Sequence, residues 1–215
     1  MSVASLLLLA DGRFPDGAHA HSHGLEAAVD AGRVHDTASL EDYVTCRLWT
    51  TGRLDAATAR LAASGVDPAV LDSAWCVHTP SEVARATSRS LGRSLARTAA
   101  RVVPDRPIVL ADGRPPVQPV AFGLLATAVG CDPDEAALAS AHGTAATLAA
   151  AGLRLLSLDP FDVAAVLHDL RSSVDDVAAS TRVVTAAADL PHASTPFAEI
   201  DVERQAQIPT RLFRS

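Results

Sequence analysis

Lysine is absent from this chain. All 18 basic residues are arginines, and 25 acidic residues bring the net charge to −7. An acidic chain of this kind is a poor general nucleic-acid binder, because phosphate recognition draws on a basic surface. Cysteine is scarce: Cys46, Cys76 and Cys131 are odd in number and far apart. That argues against a disulfide framework and a CxxC metal knuckle, and it fits a reducing cytoplasm. Long hydrophobic runs are missing. The longest nearly apolar stretch, PVAFGLLATAVGC at 119–131, falls short of the roughly 18 residues that a membrane span needs. The early run VASLLLLA has no basic segment before it and does not read as a signal peptide. A cytoplasmic chain that neither crosses a membrane nor binds nucleic acid is expected. The motifs of common catalysis are absent too, with no P-loop, GxGxxG, GxSxG or HExxH pattern. His142 and His168 stand alone in helical context, and no nucleophile, base and orienting group come together. The expectation is a protein that is not an enzyme and carries no cofactor.

What is present describes a globular helical domain. The 215 residues are 48% hydrophobic and 20% charged, enough for one compact core. Helix starts recur. Thr79-Pro80-Ser81-Glu82, Asp132-Pro133-Asp134-Glu135 and Asp159-Pro160-Phe161-Asp162 each offer a capping side chain, a proline and an acid. The cap accepts an orphan backbone N–H, proline has no N–H to leave unpaired, and the acid suits the positive helix end. Asp67-Pro68 and Thr195-Pro196 repeat the cap and proline. Ser39 with Asp42, and Ser173 with Asp176, add caps without proline. Between these starts the apolar residues keep a helical period. Leu40, Tyr43, Val44, Arg47, Leu48 and Leu54 follow one stripe. Leu138, Ala141, Ala145, Leu148, Gly152 and Leu155 form a second, whose small residues predict a central helix closely approached by its neighbours. Strand signals are few, and 102–119, broken by five prolines, reads as a loop. The expected fold is a single-domain, all-α bundle of about seven to ten helices spanning 1–215.

Three stretches stand out as candidate sites. The first is ADGRFPDGAHAHSHGLEAA, residues 10–28, in which His19, His21 and His23 alternate. Imidazoles spaced this way can converge on Zn²⁺ or Ni²⁺ in a loop, with His35 within reach. The other reading is a polar loop before a helix that starts near Ser22, with Ser22 as its cap and Glu26 in its first turns. The second stretch is Arg85, Arg89, Arg93, Arg97 and Arg101, spaced by four. Each step turns about 40° past a full turn, so the row winds round its helix. It reads either as a grip on an acidic partner or as a solvated face. Gly92 lies in this row at a helix-propensity cost of roughly 1 kcal/mol, which implies close packing. The third is the tail QIPTRLFRS, 207–215, where Leu212 and Phe213 stand between Arg211 and Arg214. It reads either as a docking peptide or as a segment folded onto its own bundle.

Together these pieces resemble the UreF family of urease accessory proteins. The family's opening motif is matched by Leu6 to Leu9, Asp11, Pro15, Gly17, His21, Ser22, Gly24, Leu25 and Glu26. Its middle signature is similar to Arg85, Ser88, Leu91 and Gly92, and its P-V-x-F-G helix entry to Pro119, Val120, Phe122 and Gly123. Ala151, Arg154 and Leu155 resemble its A-x-x-R-L stretch, and Thr210 to Ser215 its ending. Departures from the pattern fall at Ala18, His19, Gln205, Ala206 and Pro209, and in the turn 155–160. The resemblance implies a helical protein that dimerises and has no catalysis of its own. It further implies a scaffold and regulator bridging a UreD (UreH)-type protein and the UreG-type GTPase, so that nickel reaches the urease apoprotein. Segments 1–26 and 207–215 are then expected to face partners, through His21, Ser22, Gly24, Glu26, Arg211, Leu212 and Phe213, with Arg85 and Arg89 of the arginine row as further partner-binding residues. The alternative is a metal-binding module that carries nickel through the HxHxH loop.

Overall fold

A computed structural model describes residues 3–193, 195–209 and 211–214. Eleven α-helices and no strand occur among these residues: α1 (Val3–Ala10), α2 (Leu25–Asp30), α3 (Thr37–Arg47), α4 (Arg53–Ala63), α5 (Pro68–Val77), α6 (Glu82–Val102), α7 (Gln118–Ala128), α8 (Pro133–Leu156), α9 (Pro160–Asp169), α10 (Arg171–Ser180) and α11 (Pro196–Gln205). Helices α3 and α4 run on through a π-helical turn at Leu48–Gly52, so ten separate rods make up the expected all-α bundle. No described helix is long and apolar enough to cross a membrane.

Local chemistry sets most helix starts. Asp132 and Glu135 form a reciprocal capping box at α8, while Asp67 and Asp159 cap α5 and α9 ahead of their prolines. Five starts differ from the sequence expectation, two of them because Thr195 makes no capping bond at α11 and because Gly24, not Ser22, precedes α2. Helix α3 begins at an Asp36–Ser39 box, so Ser39 closes that box from the third helical position. Ser81, rather than Thr79, caps α6 by accepting from Ala84 N–H. Ser173 and Asp175-Asp176 lie inside α10, which continues almost directly from α9. Once one helix runs into the next through Leu170, the tertiary path supplies the first turn and no side-chain cap is required.

Helix α8 is the axis of the molecule and packs against α1, α2, α3, α4, α7, α9 and α10. Its alanines make this possible: Ala136, Ala137, Ala141, Ala145, Ala149 and Ala151 are all at or near full burial. Leu40 of α3 lies directly on Gly152, where an added Cβ would come within 2.5 Å of it. An ion triad fastens the periphery. Asp134 at the head of α8 accepts from Arg60 of α4 at 3.0 Å and from Arg182, just past α10, at 2.9 Å.

Helix α6 and the proline-rich loop are joined by the residues of the middle signature. Asp72 of α5 is 3% exposed and accepts from Arg89 (2.7 Å to Oδ2) and from the Val117 backbone N–H (2.8 Å). Ser88 Oγ accepts from Gln118 N–H at 3.0 Å, and Arg85 donates to the carbonyls of Thr79 and Pro80 at 2.6 Å each. Gly92 lets the loop press onto the helix, because a Cβ there would lie 1.9 Å from the Pro116 carbonyl oxygen. This contact predicts that Gly92→Ala lowers stability by about 1–3 kcal/mol through overpacking. By contrast Gly143, inside α8 with nothing within 4 Å of its missing Cβ, gains about 0.5–1 kcal/mol on change to alanine. Denaturant melts of the two variants, which differ only in what the new methyl meets, check both signs.

Candidate partner-facing site

The opening motif, the A-x-x-R-L stretch and the tail meet at one place. Gly24 stands before α2 with φ of 92°, a left-handed conformation that favours glycine. A Cβ there would lie 3.0 Å from the Val202 backbone nitrogen, so α11 crosses directly over this turn. Gln205, the last residue of α11, is fully buried. Its side-chain carbonyl accepts from Ser22 Oγ and from Gly24 N–H, both at 3.0 Å, and its amide donates to Glu26 at 3.2 Å. Glu26 then receives the tail. Its two carboxylate oxygens accept the backbone N–H groups of Leu212 at 2.5 Å and Phe213 at 3.0 Å. The Arg214 N–H donates to the Ala20 carbonyl at 2.8 Å, and Arg211 donates to the Gln205 carbonyl at 3.0 Å. Arg154 of α8 closes the arrangement, donating to the His19 carbonyl at 2.9 Å with its guanidinium 4.4 Å from the Phe213 ring centre.

These contacts sort the candidate residues into two groups. Ser22, Gly24 and Phe213 are buried and act within the chain; Phe213, 2% exposed, belongs to the cluster around Leu25, Leu40 and Leu148. Of the two readings of the tail, folding back describes Phe213, while Leu212 stays 61% exposed. Arg85 and Arg89 direct their donors inward, as described above, whereas Arg93, Arg97 and Arg101 are exposed. The winding of the row explains the split, since a four-residue step carries the later arginines off the packed side. Ser22 does not open α2; Gly24 does, and the Ser22 hydroxyl turns to Gln205. Thr210 and Ser215 of the tail lie outside the described residues.

The three alternating histidines occupy different settings. His19 is exposed, His21 is buried, and His23 is half-buried with φ of 51° and its ring centre 6.2 Å from that of His21. No group of three or more His, Cys, Asp or Glu side chains among the described residues is placed to hold a metal ion. Burial, reinforced by Arg214 and His19, lowers the His21 pKa to about 4. Burial, reinforced by Arg47 and His21, lowers that of His23 to about 3. His23 lines an interior cavity of about 130 Å³ together with Arg47, Asp55, Thr51, Thr87 and Thr144. There burial raises Asp55 to about 6, although it accepts from Trp75 Nε1 at 2.6 Å.

The sequence reading missed two central residues. Gln205 stood out only as a departure from a pattern, and Arg154 belonged to a motif without an assigned role. A buried glutamine at a helix end has no sequence signal of its own; the glycine at 24, which admits α11, was the available hint.

Fold and site together define an all-helical protein whose two ends are fastened into one surface, with no metal-ligand cluster among the described residues. A profile of the family described as UreF matches residues 34–171. Relatives named urease accessory protein UreF align along the whole chain. The one from Mycolicibacterium vanbaalenii is 39% identical over 218 aligned residues, covering 100% of this chain and 99% of that protein. Those from Mycobacterium sp. strain JLS and Mycobacterium marinum are 38% and 36% identical over 215 residues, with 100% and 99% coverage. This chain belongs to the UreF family of urease accessory proteins.

Two predictions follow from the geometry. Glu26→Ala removes the acceptor for two tail N–H groups and is expected to lower stability by about 2 kcal/mol and to expose the tail to protease; Phe213→Ala is expected to cost about 3–5 kcal/mol. Limited proteolysis beside a thermal melt reads both. The second prediction concerns pH. The unfolded chain protonates His21 and His23 near their ordinary 6.5, while the folded chain resists until about 4 and 3. Their contribution is therefore present above pH 6.5 and lost as pH falls toward 3. Asp55 runs the other way, contributing below its ordinary 3.8 and losing that contribution as pH rises through about 6. Asp55→Asn is expected to stabilise the protein above pH 6 and to have little effect below 4, which paired denaturant melts at pH 7.5 and 3.5 test.

Proposed function

We propose that this protein is a non-catalytic scaffold and regulator of urease maturation. It acts in the cytoplasm as a homodimer and bridges a UreD (UreH)-type protein and a UreG-type GTPase while nickel is delivered to the urease apoprotein. The observation that carries the reading is the convergence of both terminal motifs on one side of α8. A surface assembled from the first and last segments of the chain presents Leu212, Arg211 and the His19 loop together, the mixture of apolar and arginine side chains that dominates interface energetics. The exposed arginines at 93, 97 and 101 supply a separate basic strip on an otherwise acidic protein, suited to steering an acidic surface into place. The alternative, nickel carriage by the histidine run, would draw on His21 and His23, whose ring centres lie 6.2 Å apart, but no group of three His, Cys, Asp or Glu side chains among the described residues is placed to hold a metal ion.

Leu212→Ala separates partner binding from folding. The side chain is already exposed, so the melting temperature is expected to stay unchanged, while affinity for the UreD-type protein falls about tenfold, as about 1.5 kcal/mol of apolar burial is lost. Pull-down and calorimetry with the purified partner measure it, and unchanged affinity removes the tail from the interface. Charge reversal at Arg93 and Arg97 is expected to slow association with the GTPase at low salt and to matter little at high salt. Stopped-flow association rates at the two ionic strengths check this.

A further inference from the structure

Between α6 and α7 the chain turns back on itself. Leu110 N–H donates to the Arg114 carbonyl at 2.7 Å, and Gly113 N–H to the Leu110 carbonyl at 2.9 Å, with Gly113 left-handed at φ of 81°. The incoming arm, 107–110, alternates in burial. Ile108 and Leu110 are 3% and 6% exposed, while Val109 between them is 44% exposed. A period of two is the mark of extended backbone. Ile108 packs with Leu9, Phe14, Leu95 and Ala99, so the arm is held on the bundle by its side chains.

The outgoing arm cannot build a ladder with it. Pro115 and Pro116 carry no N–H. The next two donors are engaged elsewhere, Val117 N–H with Asp72 and Gln118 N–H with Ser88. In extended backbone the N–H and C=O of one residue point to one edge and those of its neighbour to the other. Leu110 directs both of its groups to the outgoing arm, so Val109 directs its own to the opposite edge. No backbone hydrogen bond among the described residues reaches them. An edge with a free donor and acceptor in fixed register is a template for one more extended segment. Pro107 closes it at one end, so the added segment is short.

Charge selects the segment. Residues 83–111 contain six arginines and a single acid, Asp105. Arg93, Arg97, Arg101 and Arg106 are exposed, and no ion pair among the described residues includes them. The basic strip of α6 therefore leads along the chain to this edge, with Arg106 beside it. Such a field draws an acidic segment and repels a basic one. Val102 and Val109, both partly exposed, offer it apolar contact.

We propose that 107–109 is an edge to which an acidic, extended segment of the GTPase adds, pairing its backbone with the N–H and C=O of Val109. This rests on the reading of the α6 strip as the surface that meets the GTPase.

The test follows amide hydrogen exchange in ¹⁵N-labelled full-length protein, with and without the purified UreG-type GTPase. The Val109 amide is identified by its loss in Val109→Pro. In the complex its exchange is expected to slow about tenfold or more, while Arg106 N–H, already bonded to the Val103 carbonyl, exchanges as before. Val109→Pro removes a donor that has no backbone partner in the chain, so the melting temperature is expected to hold while GTPase affinity falls about fivefold, the loss of one hydrogen bond. Val109→Thr keeps the N–H and is expected to bind as the unaltered chain does. Salt-sensitive GTPase binding with Val109 exchange unchanged overturns the edge and leaves the strip reading standing. Absence of GTPase binding overturns both. Protection of Val109 that rises with protein concentration in the absence of the GTPase assigns the edge to a second copy of this chain and overturns the proposal. A folded Val109→Pro chain that binds as tightly as before also overturns it.

Discussion

The carboxylate of Glu26 joins the two ends of the chain. One side chain on a six-residue helix accepts from Gln205 and from two backbone N–H groups of the tail. Bonds to an ionised acceptor are stronger than neutral ones, and here they hold a segment that would otherwise be mobile as a chain terminus. Phe213 can then reach the core, and Leu212, its neighbour, is left facing outward. An exposed apolar residue held in fixed register is more useful for recognition than one on a flexible tail, because less order has to be imposed on binding.

A second node stabilises the other side of the molecule by a similar device. Asp72 is buried and yet fully used, with Arg89 on one side and the Val117 N–H on the other. It replaces a helix cap for α7, whose N-cap residue is a valine without a capping side chain. Gly92 and Ser88 complete the contact by letting the loop approach and by receiving its next N–H. The motif that resembles a binding signature in the sequence is thus, in the folded chain, a fastening for the long proline-rich loop. Both nodes work by supplying a side-chain partner to backbone groups that no helix ladder can satisfy.

Between these nodes the interior holds buried polar side chains, Arg47 and Thr58 among them. Arg47 lies on the apolar stripe of α3 and borders two cavities, the one described above with Asp55 and His23 and a second with Asp201. Arg47 is only 7% exposed, with Asp55 in one cavity lining and Asp201 in the other, and taking such charges out of water is costly even where they face one another.

The sequence by itself determined the helical class, most helix starts and the central place of α8. Those follow from local rules: a capping aspartate before proline acts within one turn, and a run of alanines every three or four residues can only make a narrow, closely packed helix face. It also revealed which segments were unusual, the histidine loop, the arginine row and the tail. Which of those residues face outward was decided only by the tertiary structure. Arg89 and Arg93 are four residues apart with the same side chain, yet one meets Asp72 and the other meets solvent, because the row drifts round the helix and the neighbour lies on one side only. Phe213 and Leu212 are adjacent, and Glu26, distant by 186 and 187 positions, sets which of them turns inward. Contacts between residues so far apart in the chain depend on how whole helices pack, and no local pattern encodes them.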